Sequence, residues 1–92
     1  MTEDTLALQM TVRGRVQGVF FRDSTRREAQ RRAVAGWAAN RADGSVEVVL
    51  EGRPGAVREL VAYIERGPGR AQVTDVQLAP RAVQGLRGFD VR

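Results

Sequence analysis

The order of the predicted elements indicates an α+β fold of the ferredoxin-like type, a βαββαβ sandwich with two helices on one face of an antiparallel sheet of four to five strands. Apolar residues near both ends of the chain alternate with polar ones at the period of a half-buried strand. Two segments of helical composition or spacing each connect one predicted strand to the next. The dipeptide Asp43-Gly44 is typical of a tight hairpin turn between the two middle strands. Residues 1–92 are expected to form one domain, with residues 1–5 as a frayed tail.

The first half of the chain predicts a strand, a helix and a second strand. The first strand has one buried face, made by its alternating apolar residues Leu6, Leu8, Met10 and Val12. Residues 21–33 are rich in Glu, Gln, Arg and Ala and therefore predict a helix. The thin apolar stripe of this helix consists of Phe21, Ala29 and Ala33. Residues 36–40 predict a short second strand.

The second half predicts a strand, a helix, a strand and a short edge strand. Residues 45–51 form the third strand, the hairpin partner of the second. Four apolar residues at i, i+3, i+4 and i+7 indicate an amphipathic helix: Val57, Leu60, Val61 and Ile64. Pro54 is tolerated at its start, and Gly67-Pro68 ends it. The fourth strand covers residues 73–78, and its expected single face carries Thr74, Val76 and Leu78. Residues 79–88 predict a loop, and residues 89–91 predict the edge strand.

The composition excludes several kinds of chemistry. The chain has no Cys and no His, and all fifteen of its Lys and Arg positions are Arg. Thiol chemistry, disulfides, imidazole bases and Schiff bases are therefore absent from the predicted mechanism. The net charge of +4 is spread among interleaved acidic residues, which favours an ordinary solvated surface over a nucleic-acid interface.

The start of the chain carries no targeting signal. Residues 1–4 include two acidic side chains and no long apolar stretch follows them, so we predict no signal peptide and no transmembrane segment. The expected location is the cytoplasm.

The most informative stretch is residues 14–22, Gly-Arg-Val-Gln-Gly-Val-Phe-Phe-Arg. A predicted strand runs into it and a predicted helix runs out of it. A strand–loop–helix junction presents backbone N–H groups that no helical carbonyl can satisfy, and the helix dipole adds positive potential. Gly14 and Gly18 permit the tight turn. Arg22, near the start of the helix, has a planar fork suited to two phosphate oxygens, so the stretch predicts an anion site.

The predicted topology brings a second polar residue to the same end of the sheet. A helical crossover joins the first two strands, so these strands run parallel and their carboxyl ends lie together. The first strand ends in the glycine loop and the second ends at Asn40. With the third strand between them, Arg22 and Asn40 are expected about 10 Å apart at the backbone, a gap suited to a phosphate-sized ligand.

Structural alternatives exist for both residues. Asn40 could begin the hairpin turn as an Asx cap. Arg22 could be an ordinary surface residue of the first helical turn, although a cation there opposes the helix dipole.

Four other polar side chains near the site have local explanations. Ser24 and Thr25 could be nucleophiles, but no base is predicted nearby, so local hydrogen bonds are the better interpretation. Asp23 and Asp43 could form an acid–base pair, although surface and turn positions explain them more simply. No spacing of carboxylates suggests a metal site.

These residues resemble the acylphosphatase family. Residues 14–22 are similar to the loop of that family, and residues 36–40 resemble its Gly-Trp-x-x-Asn segment. Asp43-Gly44-x-Val46-Glu47 resembles the piece that follows, and Gly67-Pro68-x-x-Ala71-x-Val73 and Phe89 match later positions. The resemblance covers about residues 7–92.

The resemblance implies a hydrolase that cleaves the carboxyl–phosphate bond of acyl phosphates, without a metal or another cofactor. It implies that Arg22 binds the phosphoryl group together with loop amides, and that Asn40 positions the attacking water. The amides concerned are those of Arg15, Val16, Gln17, Gly18 and Val19. The implied partner is a small-molecule acyl phosphate, and inorganic phosphate or sulfate can occupy the same site. Neither nucleic acid nor membrane is an expected partner, and the chain is expected to be a monomer.

Two departures from the family pattern concern stability. Ala33 stands where the family often has the glycine that ends the first helix, and Ala38 stands where it usually has Val. An Ala in the left-handed conformation costs roughly 1 kcal/mol relative to Gly, and the smaller side chain at Ala38 could leave a void.

Two other functions are possible on the same fold. An RNA-binding module would stack bases on aromatic residues of the central strands. The outward positions considered for this role carry no aromatic residue: Gln9, Thr11, Ser45, Glu47 and Glu51. A regulatory module would bind an anion at the glycine loop and catalyse nothing, and it has no evident need for Asn40.

Overall fold

The computed structural model describes residues 4–92 and contains five strands and two helices in this range. The strands are β1 (Leu6–Arg15), β2 (Ala35–Asn40), β3 (Val46–Gly52), β4 (Gln72–Pro80) and β5 (Phe89–Val91), and the helices are α1 (Phe21–Arg31) and α2 (Pro54–Glu65). Of the predicted frayed tail, residues 1–3 lie outside the described residues, and Asp4 and Thr5 are exposed and belong to no helix or strand.

The sheet confirms the predicted ferredoxin-like α+β fold. The strand order is β4-β1-β3-β2-β5, so β3 lies between β1 and β2 as expected. The β1–β3, β1–β4 and β2–β3 pairs are antiparallel. The predicted edge strand β5 is present, but it pairs parallel to β2, so the sheet is mixed rather than wholly antiparallel.

The core lies between the helices and one face of the sheet. Helix α2 buries its predicted stripe, and α1 buries Phe21, Thr25 and Ala29. The sheet contributes the fully buried residues Met10, Val12, Ala38, Val46, Val48 and Leu50. Because alternate side chains of a strand share one face, this packing also decides which polar residues stand on the helix side of the sheet.

Helix α1 ends two residues earlier than predicted. Its last turn closes with the Val34 N–H donating to the Ala29 carbonyl at 2.9 Å and the Ala33 N–H donating to the Gln30 carbonyl at 3.2 Å. This is the Schellman arrangement, in which the residue after the cap adopts the left-handed conformation. Ala33 does so with φ 54°, which confirms the conformation that its position in the family pattern suggested.

Strand β4 places its side chains differently from the prediction. The register between β1 and β4 shifts at Arg13-Gly14, where Gly14 pairs with Val73 and Arg13 pairs with Asp75. Thr74 is therefore the extra residue of a β-bulge, and Val73 instead of Thr74 shares the core-facing side with Val76. A Cβ at Gly14, whose φ is 128°, would lie 2.1 Å from the Gln72 carbonyl oxygen, so this close approach requires glycine.

The sheet face opposite the helices is partly covered by residues 81–88. Glu51 is only 5% exposed there. Its carboxylate accepts hydrogen bonds from the backbone N–H groups of Gln84 and Leu86, both at 2.7 Å. Trp37 also lies on this face, because it pairs with Val49, whose neighbours Val48 and Leu50 face the helices. The guanidinium of Arg92 stacks over the Trp37 ring, 4.5 Å from its centroid. The expectation of a face without aromatic residues was therefore wrong at Trp37.

Candidate active site

The junction between β1 and α1 leaves several backbone donors without partners. Arg15 is the last residue of β1 and pairs with Gln72, so the loop between strand and helix covers residues 16–20. Within residues 4–92, the N–H groups of residues 17–20 donate no hydrogen bond. The first helical bond runs from the Ser24 N–H to the Phe20 carbonyl, and no side chain caps the helix. The N–H groups at the start of α1 are therefore also available to an anion.

Two buried side chains hold this loop at its ends. Val16 and Phe21 are each 1% exposed and belong to the core, so the chain is anchored immediately before and after the unpartnered amides. Between the anchors, Gly18 has φ 74° and Phe20 has φ 60°. A bulky residue in the left-handed region costs of order 1 kcal/mol, and such strain is concentrated at functional sites.

Gln17 ties the loop to the turn between β2 and β3. Its side-chain nitrogen donates to the backbone oxygen of Arg41 at 2.8 Å and to that of Ser45 at 2.9 Å. The same turn is closed by the Arg41 N–H, which donates to the Ser45 carbonyl at 2.8 Å. The sequence left the side chain of Gln17 without a role, because its two partners lie 24 and 28 residues further along the chain.

Arg22 stands in the first turn of α1 beside a cleft of about 310 Å³. The cleft is lined by Val16, Gly18, Phe20, Phe21, Arg22, Asp23 and Val91. The Arg22 guanidinium donates to the backbone oxygen of Arg92 at 2.5 Å, a contact 70 residues away in sequence. The structure thus brings the glycine loop and Arg22 to one cleft, and the segment containing β5 fixes one side of the guanidinium.

Asn40 ends β2 at the same end of the sheet but is not among the residues that line this cleft. It pairs with Val46, which pairs with Val12, so the three stand on the helix side of the sheet. The Arg92 N–H donates to the carbonyl of Ala38 at 2.8 Å. Arg92, whose backbone oxygen accepts from Arg22, therefore lies beside β2 at a position two residues before Asn40.

The Asx-cap alternative for Asn40 is wrong. The exposed carboxamide of Asn40 makes no hydrogen bond with any part of the chain that the structure describes. Asp43 fills that role, since it accepts from the Ser45 N–H at 3.0 Å and from the Ser45 hydroxyl at 2.6 Å. These bonds, together with Arg13, lower the pKa of Asp43 to about 2.

Among the other polar candidates, Asp23 is paired with arginines of its own helix, and Thr25 is buried beneath that helix. Asp23 lies 2.5 Å from the guanidinium of Arg26 and 3.4 Å from that of Arg27, so its charge is balanced on its own helix. The expectation of a local hydrogen bond was wrong for Thr25, whose hydroxyl is fully buried under α1 and has no hydrogen-bond partner among the described residues. Ser24 occupies the first turn of the helix. No His, Lys or Cys is available in the sequence to activate either hydroxyl.

The described residues hold no group of three or more acidic side chains that could bind a metal ion. Neither helix in residues 4–92 is long and apolar enough to cross a membrane.

Comparisons with known proteins agree with the motifs. The family model for acylphosphatase matches residues 8–91. An acylphosphatase from Rubrobacter xylanophilus is 52% identical over 89 residues, which are 96% of this chain and 81% of the relative. An acylphosphatase from Pseudomonas paraeruginosa is 48% identical over 87 residues, or 95% of this chain and 96% of the relative.

Solved structures show the same similarity. The crystal structure of acylphosphatase from Bacillus subtilis superposes with a TM-score of 0.90 at 38% sequence identity, covering 95% of this chain and 98% of the other.

Proposed function

The chain belongs to the acylphosphatase family, and on this premise we propose how its site hydrolyses the carboxyl–phosphate bond of acyl phosphates. In the proposed reaction a water oxygen attacks phosphorus, the bond between phosphorus and the acyl oxygen breaks, and a carboxylate and inorganic phosphate leave. The carboxylate is a good leaving group, so the reaction needs no general acid of the kind that a His would supply. We propose that no metal ion or other cofactor takes part.

The phosphoryl group is held by the loop and Arg22. The proposed donors are the amides of residues 15–19 and the guanidinium of Arg22. The observation that carries this proposal is the run of unpartnered N–H groups at residues 17–20, directly before a helix whose first turn carries Arg22. Phosphoryl transfer spreads negative charge over the equatorial oxygens, so fixed donors around that position stabilise the transition state.

Asn40 positions the attacking water. A carboxamide has both a donor and an acceptor, and the one on Asn40 is exposed and without a hydrogen-bond partner among the described residues. It stands on the helix side of the sheet at the end of β2. Gln17 joins the loop to the backbone of Arg41, the residue that follows Asn40. Holding water at a defined angle to phosphorus lowers the entropic part of the barrier.

The proton released by the water is taken by the phosphoryl group of the substrate. The sequence contains no His, and the carboxylate that lines the cleft, that of Asp23, is paired with two arginines. No protein base is required in this scheme, and a phosphate oxygen is the acceptor closest to the attacking water.

Hydrolysis of benzoyl phosphate, followed by ultraviolet absorbance in the presence of EDTA, tests this proposal. Wild type should turn over, and Arg22→Ala and Asn40→Ala should each lose at least about a hundredfold in kcat/KM. Arg58→Ala, which removes an exposed guanidinium from α2, is the matched control and should keep wild-type activity. A folded wild type without turnover would instead indicate a module that binds anions and catalyses nothing.

A further inference from the structure

We propose that Phe20 and Val91 form a subsite that binds the apolar acyl group of the substrate next to Arg22, and so makes aromatic and other apolar acyl phosphates the preferred substrates. This inference rests on the proposed function, because it assigns the part of the cleft that the phosphoryl group does not use.

The exposure of Phe20 is the first observation. Its side chain is 80% exposed although it lies between the buried residues Val16 and Phe21 of the same junction. The backbone there has φ 60° and ψ 23°, a left-handed conformation that bulky side chains rarely adopt. Strain of this kind persists where the surrounding structure imposes it, and it is concentrated at ligand sites. Here it holds an aromatic ring in solvent, where the ring contributes nothing to the core.

A second exposed apolar side chain lines the same cleft. Within the described residues, four large apolar side chains are exposed: Phe20, Leu78, Val83 and Val91. Two of the four, Phe20 and Val91, line the cleft of about 310 Å³ that also contains Arg22. They come from the loop and from β5, so two distant segments of the chain place apolar surface at one site. Small-molecule sites are commonly clefts of this size with apolar walls and few polar groups.

The charges of the cleft determine what kind of ligand it favours. Arg22 and Asp23 are its ionisable lining residues, and the Asp23 carboxylate lies 2.5 Å from Arg26. Arg22 is thus the cation left to face a ligand anion. A molecule with a phosphoryl group at one end and a phenyl or branched alkyl group at the other matches this combination of one guanidinium and an apolar wall.

The experiment compares benzoyl phosphate with acetyl phosphate in four variants. Phe20→Asn removes the ring, and Asn tolerates the left-handed backbone, so the loop conformation is preserved. Phe20→Tyr retains the ring, Val91→Thr replaces a methyl by a hydroxyl in the cleft, and Val83→Ser removes an exposed apolar side chain outside it. The ratio of kcat/KM for benzoyl phosphate to that for acetyl phosphate should fall roughly tenfold in Phe20→Asn, and by a smaller factor in Val91→Thr. Phe20→Tyr and Val83→Ser should keep the wild-type ratio.

A binding measurement separates this inference from the proposed function. Calorimetry with benzylphosphonate and methylphosphonate should show that Phe20→Asn weakens only the former, by roughly tenfold. The subsite would be overturned if Phe20→Asn left the ratio of kcat/KM for the two acyl phosphates unchanged, or if it weakened benzylphosphonate and methylphosphonate binding equally. A wild type that hydrolyses neither acyl phosphate would overturn the proposed function, while loss of benzylphosphonate affinity in Phe20→Asn would still support the subsite.

Discussion

The side-chain nitrogen of Gln17 lies 2.8 Å from the backbone oxygen of Arg41, the residue that follows Asn40. With its second bond to the Ser45 carbonyl, this amide joins the loop that carries the unpartnered N–H groups to the turn that follows β2. In the proposed mechanism these two segments supply the phosphoryl donors and the water-positioning side chain. We therefore expect Gln17 to act as a positioning residue that fixes one half of the proposed site relative to the other.

Replacing Gln17 should lower turnover more than it lowers stability. Gln17→Ala removes the tether, and we expect kcat for benzoyl phosphate to fall about tenfold, while Gln17→Glu should cost about a hundredfold because a carboxylate would face two carbonyl oxygens. The free energy of unfolding in urea should change by less than about 1.5 kcal/mol in Gln17→Ala.

Gln77→Glu is the control for the added charge, since Gln77 is exposed on β4 and contacts no part of the site. It should leave kcat unchanged. If Gln17→Ala kept wild-type kcat and lost only stability, the tether would be structural and the positioning role would be wrong.

Ala33 offers a simple gain in stability. It adopts φ 54° after the end of α1, where glycine carries no penalty, so Ala33→Gly should raise the free energy of unfolding by roughly 1 kcal/mol. Ala62→Gly, the same substitution at an exposed position inside α2, should lower it by about 1 kcal/mol. Thermal unfolding of the two variants checks the opposite signs; a lower melting temperature in both would mean that the αL position imposes no strain.

Glu51 should contribute to the loss of folding stability at acid pH. Burial raises its pKa, but the backbone N–H groups of Gln84, Leu86 and Gly85 and the charge of Arg81 outweigh it and hold the pKa below its usual 4.5. A carboxyl whose pKa is lowered in the folded state stabilises the fold above its unfolded pKa, and this contribution is lost as the pH falls through the folded pKa.

The variant Glu51→Gln removes that contribution. The NH₂ group of the new side chain cannot accept a hydrogen bond, so one of the two backbone N–H groups loses its acceptor. We expect the free energy of unfolding at pH 7 to fall by about 1–3 kcal/mol, and its dependence on pH below 4.5 to become shallower than in wild type. Glu65→Gln, at an exposed position near the end of α2, should change stability by less than about 0.5 kcal/mol. Parallel acid limbs in wild type and Glu51→Gln would show that the buried carboxylate does not drive acid unfolding.

The pH dependence of catalysis should lack a limb from the protein near neutrality. Because the sequence has no His and the proposed proton acceptor is the substrate, kcat for benzoyl phosphate should show no protein group titrating near about 6.5. Stopped-assay rates between pH 5 and pH 8 check this. A bell-shaped profile with one limb at that position would contradict this expectation.

Local patterns predicted most of the fold. The alternation in β1, the spacing in α2 and the turn at Asp43-Gly44 each depend on residues close in sequence, and the structure agrees with all three. Errors arose where distant contacts decide the outcome. The bulge opposite Gly14 changes the faces of β4, and the parallel pairing of β5 with β2 depends on a chain reversal through residues 81–88.

The same distinction between local and distant contacts applies to the candidate site. The junction of β1, loop and α1 is local, so the unpartnered amides and the position of Arg22 could be predicted from the order of elements. Gln17 and the contact of Arg22 with Arg92 could not, because their partners lie 24 and 70 residues away in sequence. The exposure of Phe20 was also hidden, since a Phe beside another Phe at a helix start has the pattern of a core residue.

The central claim is that Arg22 binds the phosphoryl group whereas Asn40 acts on the water, and a single comparison of binding with turnover tests it. We would measure the dissociation constant of inorganic phosphate by calorimetry, and kcat for benzoyl phosphate, in Arg22→Ala and Asn40→Ala. The account predicts that Asn40→Ala binds phosphate within about threefold of wild type while kcat falls at least about a hundredfold, and that Arg22→Ala weakens phosphate binding at least about tenfold. Equal loss of phosphate affinity in both variants, or full turnover in Asn40→Ala, would contradict the account.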